Sequence, residues 1–136
     1  MELNEAREFA RGNHRAVMHT FRRDGRPQLS PVTVGVNPAG RLIVSTRETS
    51  IKAKNLARDP RVSLCLMNNG FYGQWLQADG IAHLVHLPDA MEPLVEYYRL
   101  IAGEHPDWDD YRAAMLRDKR VLVEVELTRV GPDFQG

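Results

Sequence analysis

The sequence predicts a mainly β fold with flanking helices, a small antiparallel barrel of six strands in one domain spanning 1–136. Three observations carry that prediction. Six short runs alternate apolar and polar residues, and turn residues separate them at close intervals. From Pro88 to Asp118 the spacing turns helical, so this stretch, about 88–118, reads as an insertion that caps or flanks the barrel. A chain of 136 residues is long enough to bury one core and too short for two. An open α+β sheet would use the same elements.

Taken in order, Glu2 to Gly12 carries Leu3, Ala6, Phe9 and Ala10 at helical spacing, with Gly12-Asn13 as the stop. Ala16 to Phe21 alternates as a strand, and Asp24-Gly25 supplies the pair that a tight hairpin needs. The returning strand is Gln28 to Asn37, with Val32, Val34 and Val36 on one face. Asn37-Pro-Ala-Gly40 turns the chain into the strand Arg41 to Thr46.

Arg61 to Met67 alternates again, with Val62, Leu64 and Leu66 set against Ser63 and Cys65. Asn68-Asn-Gly70 leads into a long run, Phe71 to Leu87, that breaks or bulges at Asp79-Gly80. Pro88-Asp89 opens a helix to about Ala102, with Met91, Leu94, Val95, Tyr98 and Ile101 on its apolar stripe. A second helical stretch, Asp107 to Asp118, sets Trp108, Tyr111 and Met115 on one side. The last strand is Arg120 to Val130, and Gly131 to Gly136 reads as loop.

The totals exclude several function classes. Hydrophobic residues at 43% and charged residues at 26% describe an ordinary globule. With 18 basic and 18 acidic side chains, no global field draws the chain to nucleic acid or an anionic membrane. No apolar run approaches the roughly 18 residues of a membrane span. The acidic start is unlike a signal peptide, so the expected location is cytoplasmic. Cys65, the single cysteine, has no partner for an internal disulfide and reads as a buried thiol.

One stretch departs from that neutrality. Between Arg47 and Arg61 stand five cations (Arg47, Lys52, Lys54, Arg58, Arg61) against two anions (Glu48, Asp59). Thr49 and Ser50 are good N-caps, and nothing from Ile51 to Arg58 breaks a helix before Asp59-Pro60 closes it. A short helix entered from a strand presents unpaired N–H groups, and Lys52 and Lys54 sit near its first turn. That combination suits a phosphate or another anion. On the local pattern alone, a solvated amphipathic helix with Leu56 packed inward is the simpler reading.

Catalytic chemistry is sparse elsewhere. His14 and His19, like His83 and His86, diverge on their strands, so no metal-ligand spacing survives. There is no Gly-rich phosphate loop and no nucleophile elbow. The acidic residues Glu104, Asp107, Asp109 and Asp110 lack the ligand order of a calcium loop, and three of them complement a helix N-terminus. No residue is singled out as a catalytic acid or base. Such a chain is either a binding module or an enzyme whose cofactor brings the chemistry.

The runs Asp24-Gly-Arg-Pro-Gln-Leu-Ser30, Lys52-x-Lys-Asn-Leu56 and Arg58-Asp-Pro-Arg61 resemble the split β-barrel flavin and deazaflavin oxidoreductases, relatives of pyridoxamine 5′-phosphate oxidase. Tyr98-Arg-Leu-Ile-Ala-Gly-Glu-His-Pro-Asp-Trp-Asp-Asp-Tyr-Arg112 and Arg120-Val-Leu resemble the branch that uses coenzyme F420. The likeness runs from about Ala16 to Val130, with its motifs in order.

That resemblance implies a six-stranded FMN-binding-like split barrel, homodimeric, with cofactor grooves between the protomers. It implies an F420-dependent reductase that passes a hydride to an activated double bond of a small conjugated substrate. An FMN enzyme of the same fold is the near alternative, and a non-catalytic F420 carrier the more distant one. Carried over by position, Lys52 and Asn55 match the family's basic anchor, Gln28 and Ser30 the strand under the ring, and Ser45 and Thr46 the neighbouring strand end. Relatives place an Arg two residues before the anchor Lys; this chain has Ser50 there, so Arg47 or Lys54 is the expected substitute. Trp75 lies near the position of an aromatic that relatives bring from the partner subunit. At Lys52 the resemblance and the anion-site reading coincide.

Overall fold

A computed structural model describes residues 1–70 and 72–136. Its strands are β1 (Arg15–Phe21), β2 (Pro27–Thr33), β3 (Gly35–Val36), β4 (Leu42–Arg47), β5 (Arg61–Met67), β6 (Trp75–Val85) and β7 (Arg120–Asp133). The helices are α1 (Leu3–Gly12), α2 (Ile51–Arg58), α3 (Met91–Ala102) and α4 (Trp108–Arg117). The strands form one antiparallel sheet in the order β2-β1-β5-β6-β7-β4-β3, curled into a half-barrel.

The seventh strand comes from a break in what the sequence presents as one strand, Gln28 to Asn37. β2 pairs with β1 at one edge of the sheet, whereas β3 pairs with β4 at the other. Val34, fully buried, sits at the crossing, and its N–H leaves the ladder to donate to the His14 carbonyl at 2.8 Å. Gly35 follows, where a Cβ would rest in ordinary contact with the Ile101 side chain at 3.4 Å. The chain thus ties the two sheet edges together, and the sheet curls around its core.

That core holds Met18, Leu42, Val44, Leu64, Leu66, Val123 and Val125, and α1 plugs it with Ala6 and Ala10 at 0% exposure. β4 and β7 are buried on both faces. Their outer residues Ile43 and Leu122 meet Ala90 and Leu94 under α3 in a second cluster. The helical insertion therefore lies against the back of β4 and β7.

The long run expected from Phe71 to Leu87 becomes the strand Trp75–Val85; Phe71 lies outside the described residues. Its register shifts between Asp79 and Gly80, as the sequence led us to expect. β7 continues to Asp133, three residues past the predicted end, because Leu76 pairs with Asp133. Cys65 is only half-buried, on the outer face of the sheet, and burial pushes its thiol pKa up. Among the described residues no helix is long and apolar enough to cross a membrane.

Candidate functional site

Where β4 hands over to α2, local chemistry fixes the chain. The Ser50 hydroxyl accepts from the Ala53 N–H at 3.1 Å, capping α2, and the buried Thr46 hydroxyl donates to Ser50 at 3.0 Å. The cap takes Ala53 and leaves Ile51 and Lys52 as open backbone donors of the first turn. Asn55 anchors the helix from its other side. Its amide donates to the Thr20 hydroxyl at 3.1 Å, Thr20 donates to Gln28 at 2.9 Å, and Arg58 donates to the Asn55 oxygen at 3.3 Å. Asn55 is 5% exposed and Thr20 0%, so α2, β1 and β2 are joined by a buried polar chain.

Lys52 projects from this junction into a cleft of about 670 Å³. Besides α2, elements far apart in sequence build it: the ends of β2, β4 and β5, the starts of β1 and β7, and residues of α3 and α4. Arg15, Lys52 and Arg120 line it, and no Asp or Glu does. Tyr97, Tyr98, Tyr111 and Met115 supply the wall from the helical insertion. Tyr97 donates to the Thr33 carbonyl at 2.8 Å, tying α3 to the end of β2. Tyr111, 8% exposed, donates to the Leu94 carbonyl at 2.7 Å. Tyr98 and Tyr111 of that wall cluster with His105 and Trp108, edge-on or tilted, with ring centroids 4.9 to 5.7 Å apart.

The cleft's electrostatics are unbalanced. Among the described residues none of its three cations has an ion-pair partner. Burial, and then the Arg120 charge, lowers the Lys52 pKa from its usual value. Arg120 Nε is buried with no hydrogen-bond partner among the described residues. Two like charges and an orphaned donor beside one another are what a missing anion would relieve. Burial pushes the Tyr97 hydroxyl pKa up, against the Ser45 backbone and Arg120, and burial pushes Tyr111 up to about 12.

The structure brings Ser45, Thr46 and Lys52 together on this cleft. The other residues named from the sequence lie elsewhere. Gln28 and Asn55 belong to the buried chain under α2. Ser30 stands opposite Met18 with a buried hydroxyl oxygen that no described group bonds. Arg47 is exposed and paired with Asp118 at 3.9 Å, Lys54 is exposed, and Trp75 lies on the outer face beside Cys65. Sequence reading missed Arg15, Arg120 and the three tyrosines as cleft residues. Arg15 immediately precedes one predicted strand and Arg120 opens another, but Arg41 and Arg61 open strands too, so position alone did not single them out.

The family model for pyridoxamine 5′-phosphate oxidase matches residues 3–132. The chain belongs to the pyridoxamine 5′-phosphate oxidase family. Members of this family bind flavin-type cofactors and include oxidoreductases. Among solved structures, this family member is similar to a conserved hypothetical protein from Mycobacterium tuberculosis. The identity is 27% and the TM-score 0.76, covering 96% of this chain and 82% of that one. It is similar to an F420 reductase at 18% identity and TM-score 0.67, covering 88% and 90%. It is also similar to HutZ, the heme storage protein from Vibrio cholerae, at 17% identity and TM-score 0.73, covering 98% and 96%. The last two likenesses speak for the pyridoxamine 5′-phosphate oxidase-like fold alone.

The cleft fits a phosphorylated ring cofactor of the flavin type. Unpartnered cations at Lys52 and Arg120 suit a phosphate, and the tyrosine wall suits a planar ring. Among the described residues no cluster of three His, Cys, Asp or Glu side chains could hold a metal ion.

Proposed function

We propose that this protein is an F420-dependent reductase acting on an activated double bond of a small conjugated substrate. The observation that carries the reading is the cleft charge: Arg15, Lys52 and Arg120, none ion-paired among the described residues, with no acid on the lining. When bound, reduced F420 supplies a hydride, which carries the two electrons, and a proton from water completes the saturated product.

The chain's own residues bind, orient and exclude water. Lys52 and Arg120 hold the phosphate, aided by the open amides at the start of α2. Ser45 and Thr46 line the adjoining strand end. Tyr97, Tyr98 and Tyr111 close the ring site from the side of α3 and α4, so that two planar partners are held face to face. No side chain is assigned as proton donor.

The reading includes a homodimer with cofactor grooves between protomers. In support, among the described residues the helices pack on the inner core or against β4 and β7, not on the outer face of β1, β2, β5 and β6. Val17, His19, Leu29, Cys65 and Trp75 surround a depression of about 360 Å³ there, and Leu29 is 63% exposed. Sedimentation equilibrium tests it, with a dimer expected and a monomer at micromolar concentration counting against it. A cytoplasmic location goes with a coenzyme of the cell interior.

The test of function is turnover. Reduced F420 should be oxidised by a panel of enones and quinones faster with the protein than without it. A carrier would bind the coenzyme and leave that rate at its solution value. Turnover with reduced FMN alone would move the function to flavin chemistry on the same barrel.

A further inference from the structure

We infer that the Tyr98 hydroxyl is the oxyanion donor of the cleft, receiving the carbonyl oxygen of an α,β-unsaturated substrate as hydride adds to its double bond. The inference rests on the F420 reading and adds a catalytic residue and the carbonyl class of substrate.

Most of the strong donors on the lining are already committed to the protein. Thr46 donates to Ser50 at 3.0 Å, Tyr97 to the Thr33 carbonyl at 2.8 Å and Tyr111 to the Leu94 carbonyl at 2.7 Å. Tyr98 differs. It lines the same cleft half-buried, and its hydroxyl has no hydrogen-bond partner among the described residues. The hydroxyls of Thr33 and Ser45 are uncommitted too, but an aliphatic alcohol is a far weaker acid than a phenol. The stronger acid gives the stronger hydrogen bond to a developing oxyanion.

The ring that carries this hydroxyl is braced. Its centroid lies 4.9 Å from that of His105, 5.2 Å from Tyr111 and 5.7 Å from Trp108. Those neighbours are fixed in turn: His105 Nδ1 accepts from the Asp107 N–H at 2.9 Å, and Trp108 Nε1 donates to Glu104 at 2.9 Å. Arg99 closes the set, donating to Glu104 at 3.0 Å with its guanidinium 4.8 Å from the Trp108 ring centre. A donor held in place before the reaction needs no reorganisation when charge develops.

Hydride addition to the β-carbon forms one C–H bond and moves the double-bond electrons toward the carbonyl, whose π pair settles on oxygen as an enolate. Tyr98 donates its hydrogen bond to that oxygen and keeps its proton. The α-carbon then takes a proton from water, which restores the carbonyl and leaves a saturated bond. An unconjugated alkene places no charge where Tyr98 receives it.

The test starts from calorimetric titration of the purified protein with 4-nitrophenolate, a planar conjugated oxyanion, and 4-nitroanisole, its neutral counterpart. Tyr98→Phe keeps the ring and its packing and removes only the oxygen. It should weaken 4-nitrophenolate on the order of ten- to a hundredfold and leave 4-nitroanisole and oxidised F420 unchanged. With reduced F420 and 2-cyclohexenone, the variant should lower kcat on the order of a hundredfold at a nearly unchanged KM. No binding of 4-nitrophenolate, or a phenolate affinity or kcat that survives Tyr98→Phe, overturns the proposal. An equal loss for both nitro compounds overturns it as well, because it marks a disturbed cleft. Tyr98-dependent phenolate binding in a protein that leaves F420 oxidation at its solution rate keeps the donor and overturns the reductase reading alone.

Discussion

Lys52 and Arg120 line one cleft close enough for the Arg120 charge to bear on the Lys52 ammonium, and no acidic residue among those described lines it with them. One comes from the first turn of α2, the other from the first residue of β7, and strand pairing of β4 with β7 brings them together. Folding alone does not favour such a pair. It adds like-charge repulsion and leaves Arg120 Nε buried without a partner among the described residues.

That cost predicts a trade between stability and binding at Arg120. Arg120→Met keeps the apolar stem and removes both the charge and the orphaned donor. Urea denaturation should show the variant more stable by about 1 kcal/mol, with weaker binding of anionic cofactor. A loss of stability would mean that the guanidinium has a structural partner.

The pH dependence of stability separates two groups. Burial raises the folded pKa of Tyr111 to about 12, from an ordinary tyrosine value of 10.0. Below pH 10 both folded and unfolded states keep the proton, and the contribution is complete. Between about 10 and 12 the unfolded chain ionises first, so stability falls as pH rises. Lys52 has the opposite sign, since its folded pKa is lowered: stability rises with pH between that value and 10.5. Tyr111→Phe should lessen the alkaline decline, to which Tyr97 and Cys65 contribute with the same sign, and cost roughly 0.5–1.5 kcal/mol at neutral pH for the lost bond to the Leu94 carbonyl. Denaturant midpoints from pH 7 to 11 read both effects.

Much of this was legible in the sequence, and the part that was not has a common cause. The N-cap at Ser50, the helix ending before Pro60 and the position of Lys52 follow from local chemistry, which a linear reading captures. The break at Val34 did not announce itself because Val32, Val34 and Val36 alternate without interruption; only Gly35 marked it. Arg15, Tyr97 and Arg120 converge through register and crossover, so their spacing along the chain carries no signal. Asn55 also carries a structural role that its position in the motif does not reveal. The resemblance implies an anchor, and the structure buries its amide between Thr20 and Arg58.

Asn55→Ala accordingly tests a structural role. It leaves the Thr20 hydroxyl oxygen short of a donor inside a buried chain, at a cost of about 1–3 kcal/mol. Thermal unfolding should show that loss. An unchanged midpoint would mean that the chain under α2 contributes nothing to holding Lys52.

Gly80 tests the bulge. A Cβ there would lie 2.3 Å from the Glu126 carbonyl oxygen and 2.7 Å from Val125 Cγ1, and backbone cannot move aside as a flexible side chain can. Gly80→Ala should destabilise by roughly 2–3 kcal/mol through overpacking. A near-neutral change in the denaturant midpoint would show that β6 and β7 slide freely past the bulge.

The most direct measurement is a paired titration of the purified protein with oxidised F420 and with FMN, read by fluorescence and by retention on a desalting column. Tight F420 binding is predicted, with Lys52→Ala weakening it by roughly 1.5–3 kcal/mol, the worth of a charge-assisted contact. Binding of neither coenzyme, or F420 affinity indifferent to Lys52, would contradict the account and return the first turn of α2 to being a solvated helix end.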